Sequence, residues 1–457
     1  MSRSGKSVFL TDMQSHLSRL IDAGDTQDAI ACKAMWPAVL DTRTGRFPPG
    51  EHVPRRVYRL IGAPRGSTLY WDQPLIVAAF ALSALSGDSR YAEAADAYVD
   101  AFLARCVDEH GMFCWGNHQY YDLFEDRIVA FQNGHHELRP ITPAWEIFWR
   151  HDAGRTARYI RTMADRHVYD RSTGAFNRHD IGRRGHAFIE AGGILVESLA
   201  WLYRQTDEHD LLDLALRVAR YSYAHRGAST GLVANEPDQG RWDSHVCTTE
   251  VGLWAQSLLR AAAHASSDEP ADMAADAVRA YLRYGYDEAS ARYLGQVRVD
   301  DGMPVTPTEA GYWPRRHADP WSTDQWPTHD YPMALAEACL TLHARTGDNV
   351  FLEAIRRWAR IAVETRPERT GRWAYAESYG RCIHFLARAA GQLNDGQLRK
   401  DASSLADEAV DRLVEHGVFQ GYPDGHVYES VDGVGFLLLA LILVETGTDA
   451  DLRGFGF

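Results

Sequence analysis

The residues most able to do chemistry in this 457-residue chain crowd into positions 111 to 186. Three segments carry imidazoles, carboxylates and aromatics together. They are Trp115-Gly116-Asn117-His118-Gln119-Tyr120-Tyr121-Asp122, Asn133-Gly134-His135-His136-Glu137-Leu138-Arg139-Pro140 and Gly174-Ala175-Phe176-Asn177-Arg178-His179-Asp180. A His, a Glu and a second His drawn from separate loops would make an N2O donor set with positions left open for substrate. Such a set suits Mn²⁺, Co²⁺, Ni²⁺, Zn²⁺ or Fe²⁺ better than Ca²⁺ or Mg²⁺, which favour oxygen-only shells. Unlike two histidines one turn apart on a helix, this spacing forces no geometry. Hydrogen-bonded structural histidines are the competing reading.

The elements that must hold these loops are helices. An apolar helix, a Gly/Asp turn and a more polar helix recur: Leu75 to Leu85, Ser86-Gly87-Asp88, then a helix from Arg90. The pattern returns at 193–203 with 210–223, at 333–344 with 350–363, and more faintly at 250–263 with 270–284 and 377–390 with 397–415. Residues 143–150 and 153–167 supply another pair, and 433–445 a last half-copy. Each unit is an αα-hairpin that cannot bury its own apolar stripe. The first helix of each is apolar nearly all round, as an inner ring requires, and the second is amphipathic. The segments between hairpins are long, irregular and aromatic, which suits loops at the mouth of a ring better than an open solenoid. The expected fold is all-α, an (α/α)6 or (α/α)7 toroid. Residues 1–457 form one catalytic domain in this reading, with 1–70 as an N-terminal extension completing the ring.

Trp and Tyr are frequent outside the apolar helices, at Trp115, Tyr120, Tyr121, Trp242, Trp313, Trp321, Trp326, Tyr331, Trp373, Tyr375 and Tyr428. Flat aromatic faces bind the apolar faces of sugar rings, so the cluster points to a saccharide cleft; loop packing is the bland alternative. The net charge of −14 argues against nucleic acid or an anionic membrane surface as partner. No lysine lies between Lys33 and Lys400, so a catalytic base in that stretch is Arg, His, Tyr, Asp or Glu. Six scattered cysteines without Cys-x-x-Cys spacing read as buried reduced thiols. No apolar run reaches membrane-spanning length, and residues 1–20 lack an apolar signal core. The expectation drawn from this is a cytoplasmic protein, monomeric or a small homo-oligomer.

An early His, a His-Glu-Leu followed by Thr142-Pro143-Ala144-Trp145, and an Arg-His pair closing the next hairpin together resemble family 2 pectate lyases over roughly residues 70 to 190. The resemblance implies an (α/α) barrel that cleaves a uronate polymer by β-elimination with a transition metal held by two His and one Glu. Carried over, His118, Glu137 and His179 match the metal ligands, and Arg178 matches the base of that family. The 42-residue separation of Glu137 from His179 fits the family pattern. His135 or His136 is an alternative for the first ligand.

The reaction removes the proton α to a carboxylate and expels the 4-O-linked sugar. A cation on that carboxylate stabilises the developing charge. Arginine is an awkward base, because it is normally always charged. If Arg178 clamps the carboxylate instead, Tyr120, Tyr121 or a metal-bound hydroxide becomes the candidate base. Expected contacts to an acidic oligosaccharide or polysaccharide are Trp115, His136, Arg139, Arg184, Trp242, Trp313, Arg315, Trp321 and Tyr428. Arg183, Arg316 and Arg381 are further carboxylate-binding candidates. The main rival is a glycoside hydrolase on the same toroid, of the unsaturated glucuronyl type, drawing on Asp122, Asp243, Glu250, Asp319, Asp330, Glu377 or Asp432. A sugar epimerase and a non-enzymatic helical scaffold are the remaining alternatives.

Overall fold

The computed structural model describes residues 9–26, 30–49, 65–115, 119–130, 136–138, 141–237, 243–305, 316–322 and 332–450. The expected hairpins are present there, with boundaries extended by a turn or less in most cases. Four come as α2 (Leu69–Ser86) with α3 (Arg90–Arg105), α4 (Trp145–His151) with α5 (Ala153–His167), α6 (Ile189–Thr206) with α7 (His209–Ala224), and α8 (Thr248–Ala265) with α9 (Glu269–Tyr284). The others are α10 (Met333–Thr346) with α11 (Asn349–Glu364), α12 (Ala376–Leu393) with α13 (Gly396–Leu413), and the closing α14 (Val434–Thr446). The repeated Gly turn is a helix stop: α2 and α10 end at Gly87 and Gly347, with φ of 73° and 67°, a left-handed conformation glycine adopts without a Cβ penalty.

One expected boundary shifts for a visible reason. The apolar helix expected from Leu75 begins at Leu69 and runs through Pro74. Pro74 has no N–H for the Tyr70 carbonyl, and the Gln73 side-chain amide donates to that carbonyl instead, at 3.1 Å. The sequence reading also missed an N-terminal helix, α1 (Leu10–Thr26).

Contacts divide the chain into two compact units, one from both chain ends (to residue 134 and from 363) and one from the middle (135–362). In the first, α14 packs on α2 and α12, with α3 and α13 outside them. The N-terminal segment belongs to this unit, for Val39–Asp41 pairs antiparallel with Val427–Glu429. In the second, α8 packs between α6 and α10. The inner helices approach closely at glycines. A Cβ on Gly252 would lie 2.3 Å from the Leu335 nitrogen, and one on Gly435 would lie 2.6 Å from the Leu75 nitrogen. Short strands at the helix ends hold the loops: His245–Cys247 pairs antiparallel with Gln296–Arg298, and Val168–Asp170 with Ala175–Phe176. No helix among the described residues is long and apolar enough to cross a membrane.

Candidate active site

Two of the loops singled out by sequence meet in the second unit. Glu137 and His179 form an antiparallel bridge. Leu138 N donates to Arg178 O at 2.9 Å and Asp180 N to His136 O at 3.1 Å, so the Glu137–His179 pair is the non-hydrogen-bonded kind, whose side chains stand close on one face. The Glu137 Oε1 atom lies 3.4 Å from His179 Nε2 and 3.3 Å from Arg178 Nε. Glu137 is buried, while His179 and Arg178 keep 18 and 16 % of their side chains exposed. Arg178 also lies over the Phe188 ring, 4.6 Å from its centroid.

Local sequence explains why the loops hold this shape. Buried Asn177 accepts from His179 N at 2.8 Å and donates to Arg183 O at 2.9 Å, which folds residues 178–186 back on themselves. Arg178 N then donates to His186 O at 3.0 Å. Asp180 ties the two strands by accepting from His136 N at 3.0 Å and from Arg166 Nη1 at 3.1 Å. His186 takes a positive φ of 34°, a strained conformation for a non-glycine residue. Its ring packs edge-on against His179, centroids 5.3 Å apart, and its Nδ1 lies 3.7 Å from Glu236 Oε1.

Besides Glu137, two further buried acids, Glu236 and Glu250, feel the Arg178 charge. Burial pushes the Glu236 carboxyl up to about 7, with Glu190 adding to the rise and Arg178 opposing it. Burial, reinforced by Glu190, pushes the Glu250 carboxyl well above the ordinary range. The Glu190 backbone N–H donates to Glu250 Oε2 at 3.4 Å. Burial, then Arg178 and His179, lower the His186 imidazole, which therefore favours the neutral form.

Glu137 and His179 fit a transition metal. Bonds of about 2.0–2.2 Å to a carboxylate oxygen and an imidazole nitrogen, at an angle on the order of 110°, put the two donors about 3.4 Å apart. The third expected ligand, His118, lies outside the described residues, as do His135, Arg139, Trp242, Trp313, Arg315 and Asp330. Among the described residues no group of three or more His, Cys, Asp or Glu converges on a metal position.

Several expectations need correction. His136 was expected at the substrate, but it is a core residue: Nδ1 bonds His167 Nε2 at 2.8 Å and Nε2 bonds the Tyr159 hydroxyl at 2.6 Å. Burial lowers both imidazoles, His167 to about 4. Trp115 is buried among Tyr70, Phe102 and Phe113. Trp321 is buried and donates its indole N–H to Ala362 O at 2.9 Å. Tyr428 is buried with its hydroxyl on Asp72 at 3.3 Å. In all three, aromatic bulk went to the core, where its transfer from water stabilises most.

Tyr120 and Tyr121 are buried in the first unit, and burial raises both phenols further from the range a base needs; Tyr121 donates to Asp126, which adds to the rise. Asp122 and Asp319 accept backbone N–H groups in turns, from Phe124, Glu125 and Trp321. Arg381 pairs with Glu377 at 3.0 Å inside the protein. Arg184 is exposed on the loop beside His186. All six cysteines are unbridged, five of them buried.

The sequence reading missed His186, Glu190 and Glu236. Glu190 carried a readable signal, because it is a carboxylate in the first turn of a mostly apolar, buried helix.

Residues 67–190 match the model of a family described as periplasmic pectate lyase. This agrees with the resemblance drawn from the His-Glu-Leu and Arg-His motifs. It also overturns the cytoplasmic expectation, since the matching family is periplasmic. Among solved structures, the chain is similar to a D-mannose isomerase, at 10% identity over 98% of this chain and 100% of that one, TM-score 0.52. It is similar to an unsaturated glucuronyl hydrolase specific for heparin (12% identity, 97% and 100% covered, TM-score 0.50). A cellobiose 2-epimerase from Bacillus thermoamylovorans is a third (10% identity, 96% and 100% covered, TM-score 0.50). These likenesses show the fold, an (α/α) toroid, as the hairpin pattern implied. The family match supports an enzyme acting on carbohydrates.

Proposed function

We propose that the protein is a polysaccharide lyase that cleaves a uronate-containing glycan of pectate type by metal-assisted β-elimination. The observation that carries this reading is the convergence of Glu137, His179 and Arg178 on one carboxylate oxygen, in the segment that matches the pectate lyase family. Glu137 and His179, with His118 expected as third ligand, would hold a divalent transition ion, which supplies Lewis-acid neutralisation of the substrate carboxylate.

Arg178 Nε lies 3.3 Å from the buried Glu137 carboxylate, an anion that favours its cation. We therefore assign it to binding the uronate carboxylate rather than to taking the proton. His186 suits proton abstraction better. Its side chain is 57% exposed, it favours the neutral form, and Glu236 Oε1 lies 3.7 Å from its Nδ1. The hydroxyl-bearing ring is expelled as the C4–O bond breaks, and the product keeps a conjugated double bond.

One observation favours hydrolysis as a second reading. Glu190 and Glu250 sit together, with Glu250 held toward its protonated form, the division of roles that an acid and base pair requires. Incubation with polygalacturonate, alginate and glucuronan separates the two. Elimination raises ultraviolet absorbance at the unsaturated-uronate band. New reducing ends without that absorbance reject the lyase and favour the hydrolase.

A further inference from the structure

Behind the Glu137–His179 pair, buried side chains form a chain in which the partners fix where every proton sits. His167 Nδ1 lies 2.8 Å from Asn177 O, a carbonyl that can only accept, so Nδ1 carries the proton. Burial keeps the rings of His136 and His167 neutral, which leaves His167 Nε2 to accept. His136 Nδ1 lies 2.8 Å from that nitrogen and must donate to it. His136 Nε2 then accepts from the Tyr159 hydroxyl at 2.6 Å. One order of donation runs from Tyr159 through His136 and His167 to Asn177, residues that are 1, 3, 0 and 0 % exposed. Both nitrogens of His136 are used in it, which removes His136 as an alternative first metal ligand.

This chain reaches both strands of the pair. His136 precedes Glu137, and its backbone N–H and carbonyl both bond Asp180, which follows His179, at 3.0 and 3.1 Å. His167 holds Asn177 twice, through its ring and through its carbonyl, which accepts from Asn177 N at 2.8 Å. The Asn177 side chain in turn accepts from His179 N at 2.8 Å. A displaced imidazole therefore carries one member of the pair with it. A satisfied buried network rigidifies what it holds, and two donors 3.4 Å apart suit a metal only while that spacing is kept.

We propose, resting on the reading of Glu137 and His179 as metal ligands, that Tyr159, His136 and His167 are positioning residues. Their one-way order of donated protons sets the spacing of Glu137 from His179, and so the affinity of the site for its ion. None of the three touches the ion or the substrate.

The test uses the full-length protein. Nitrogen-15 correlation spectra of the metal-free wild type should show His136 and His167 both protonated at Nδ1 and bare at Nε2. An Nε2 proton on either ring overturns the proposal. Co²⁺, added alone and followed by its visible absorption, then reads the pair. His167→Leu breaks both links and should bind Co²⁺ on the order of tenfold more weakly. His167→Asn offers an amide N–H to the Asn177 carbonyl in place of Nδ1 and should recover much of that loss. Tyr159→Phe keeps the ring, removes the first proton of the chain, and should weaken Co²⁺ severalfold even where the leucine variant fails to fold. All three should melt lower than wild type, because each leaves a buried polar group unpaired. Lower melting with wild-type Co²⁺ affinity and absorption in Tyr159→Phe overturns the proposal and leaves a purely structural network. A wild type that binds no Co²⁺ sinks the metal reading instead. The spacing is then read from the His179 ring signals, which must move in Tyr159→Phe; unmoved signals overturn the proposal.

Discussion

Replacing Glu236 by glutamine should stabilise the metal-free protein at alkaline pH, by an amount the structure sets. The folded carboxyl titrates at about 7 against an ordinary 4.5, because burial disfavours its charge more than Arg178 restores it. Between those two values the unfolded chain has released the proton while the folded protein still holds it. Stability therefore falls as pH rises through that window, and the loss persists above it. At about 1.36 kcal/mol per pH unit, the penalty is about 3 kcal/mol once the group is fully ionised. Glutamine keeps the shape and hydrogen-bonding capacity without the charge. Urea denaturation in the presence of a chelator, from pH 4 to pH 8.5, reads the difference between wild type and Glu236→Gln. The two stabilities should nearly coincide at pH 4, diverge between pH 4.5 and 7, and differ by about 3 kcal/mol in favour of the variant at pH 8.5. Parallel curves, or a variant weaker at pH 8.5, would refute the burial argument and with it the picture of a Glu236 carboxyl poised beside His186.

Arg260 joins α8 to α6 by a two-pronged pair with Glu197, both contacts at 2.8 Å. Arg260→Met strands a carboxylate that is 2 % exposed and should cost about 3 kcal/mol in urea denaturation; adding Glu197→Leu should recover most of it. Gly252→Ala forces α8 away from α10 and should cost about 2 kcal/mol or more, measured in the same way, while Gly391→Ala, with open space around its Cβ position, should cost nothing of that kind. Arg178→Ala should lower lyase turnover by about 100-fold or more with bound metal unchanged, and Arg178→Lys should not restore it, because a planar fork fits a carboxylate and an ammonium does not.

The fold was readable because its physics is local and repeated. The turn at Ser86-Gly87-Asp88 stops one helix and starts the next, and the apolar run from Val434 to Val444 could sit only inside. The pairing of Glu137 with His179 was readable only through family resemblance, since nothing in a 42-residue spacing places two strands side by side. His136 shows the limit most clearly. It neighbours Glu137 in sequence, but strand alternation turns it to the opposite face, into the core against Tyr159 and His167. The loop aromatics failed for a related reason. Trp115 and Trp321 lie among polar residues in sequence yet fold down onto apolar neighbours, and composition cannot distinguish a ring facing a sugar from a ring facing the core. His186 and Glu236 were invisible because a hairpin from Arg178 to His186, pinned by Asn177, is what brings them to the site.

Elemental analysis of the purified protein after dialysis against trace divalent transition metals tests the central claim most directly. Wild type should retain about one ion per chain, and both His179→Ala and Glu137→Gln should lose it while keeping their helical content. Retention of the ion in either variant, or its absence from a wild type that still releases unsaturated product after exhaustive chelation, would contradict the claim.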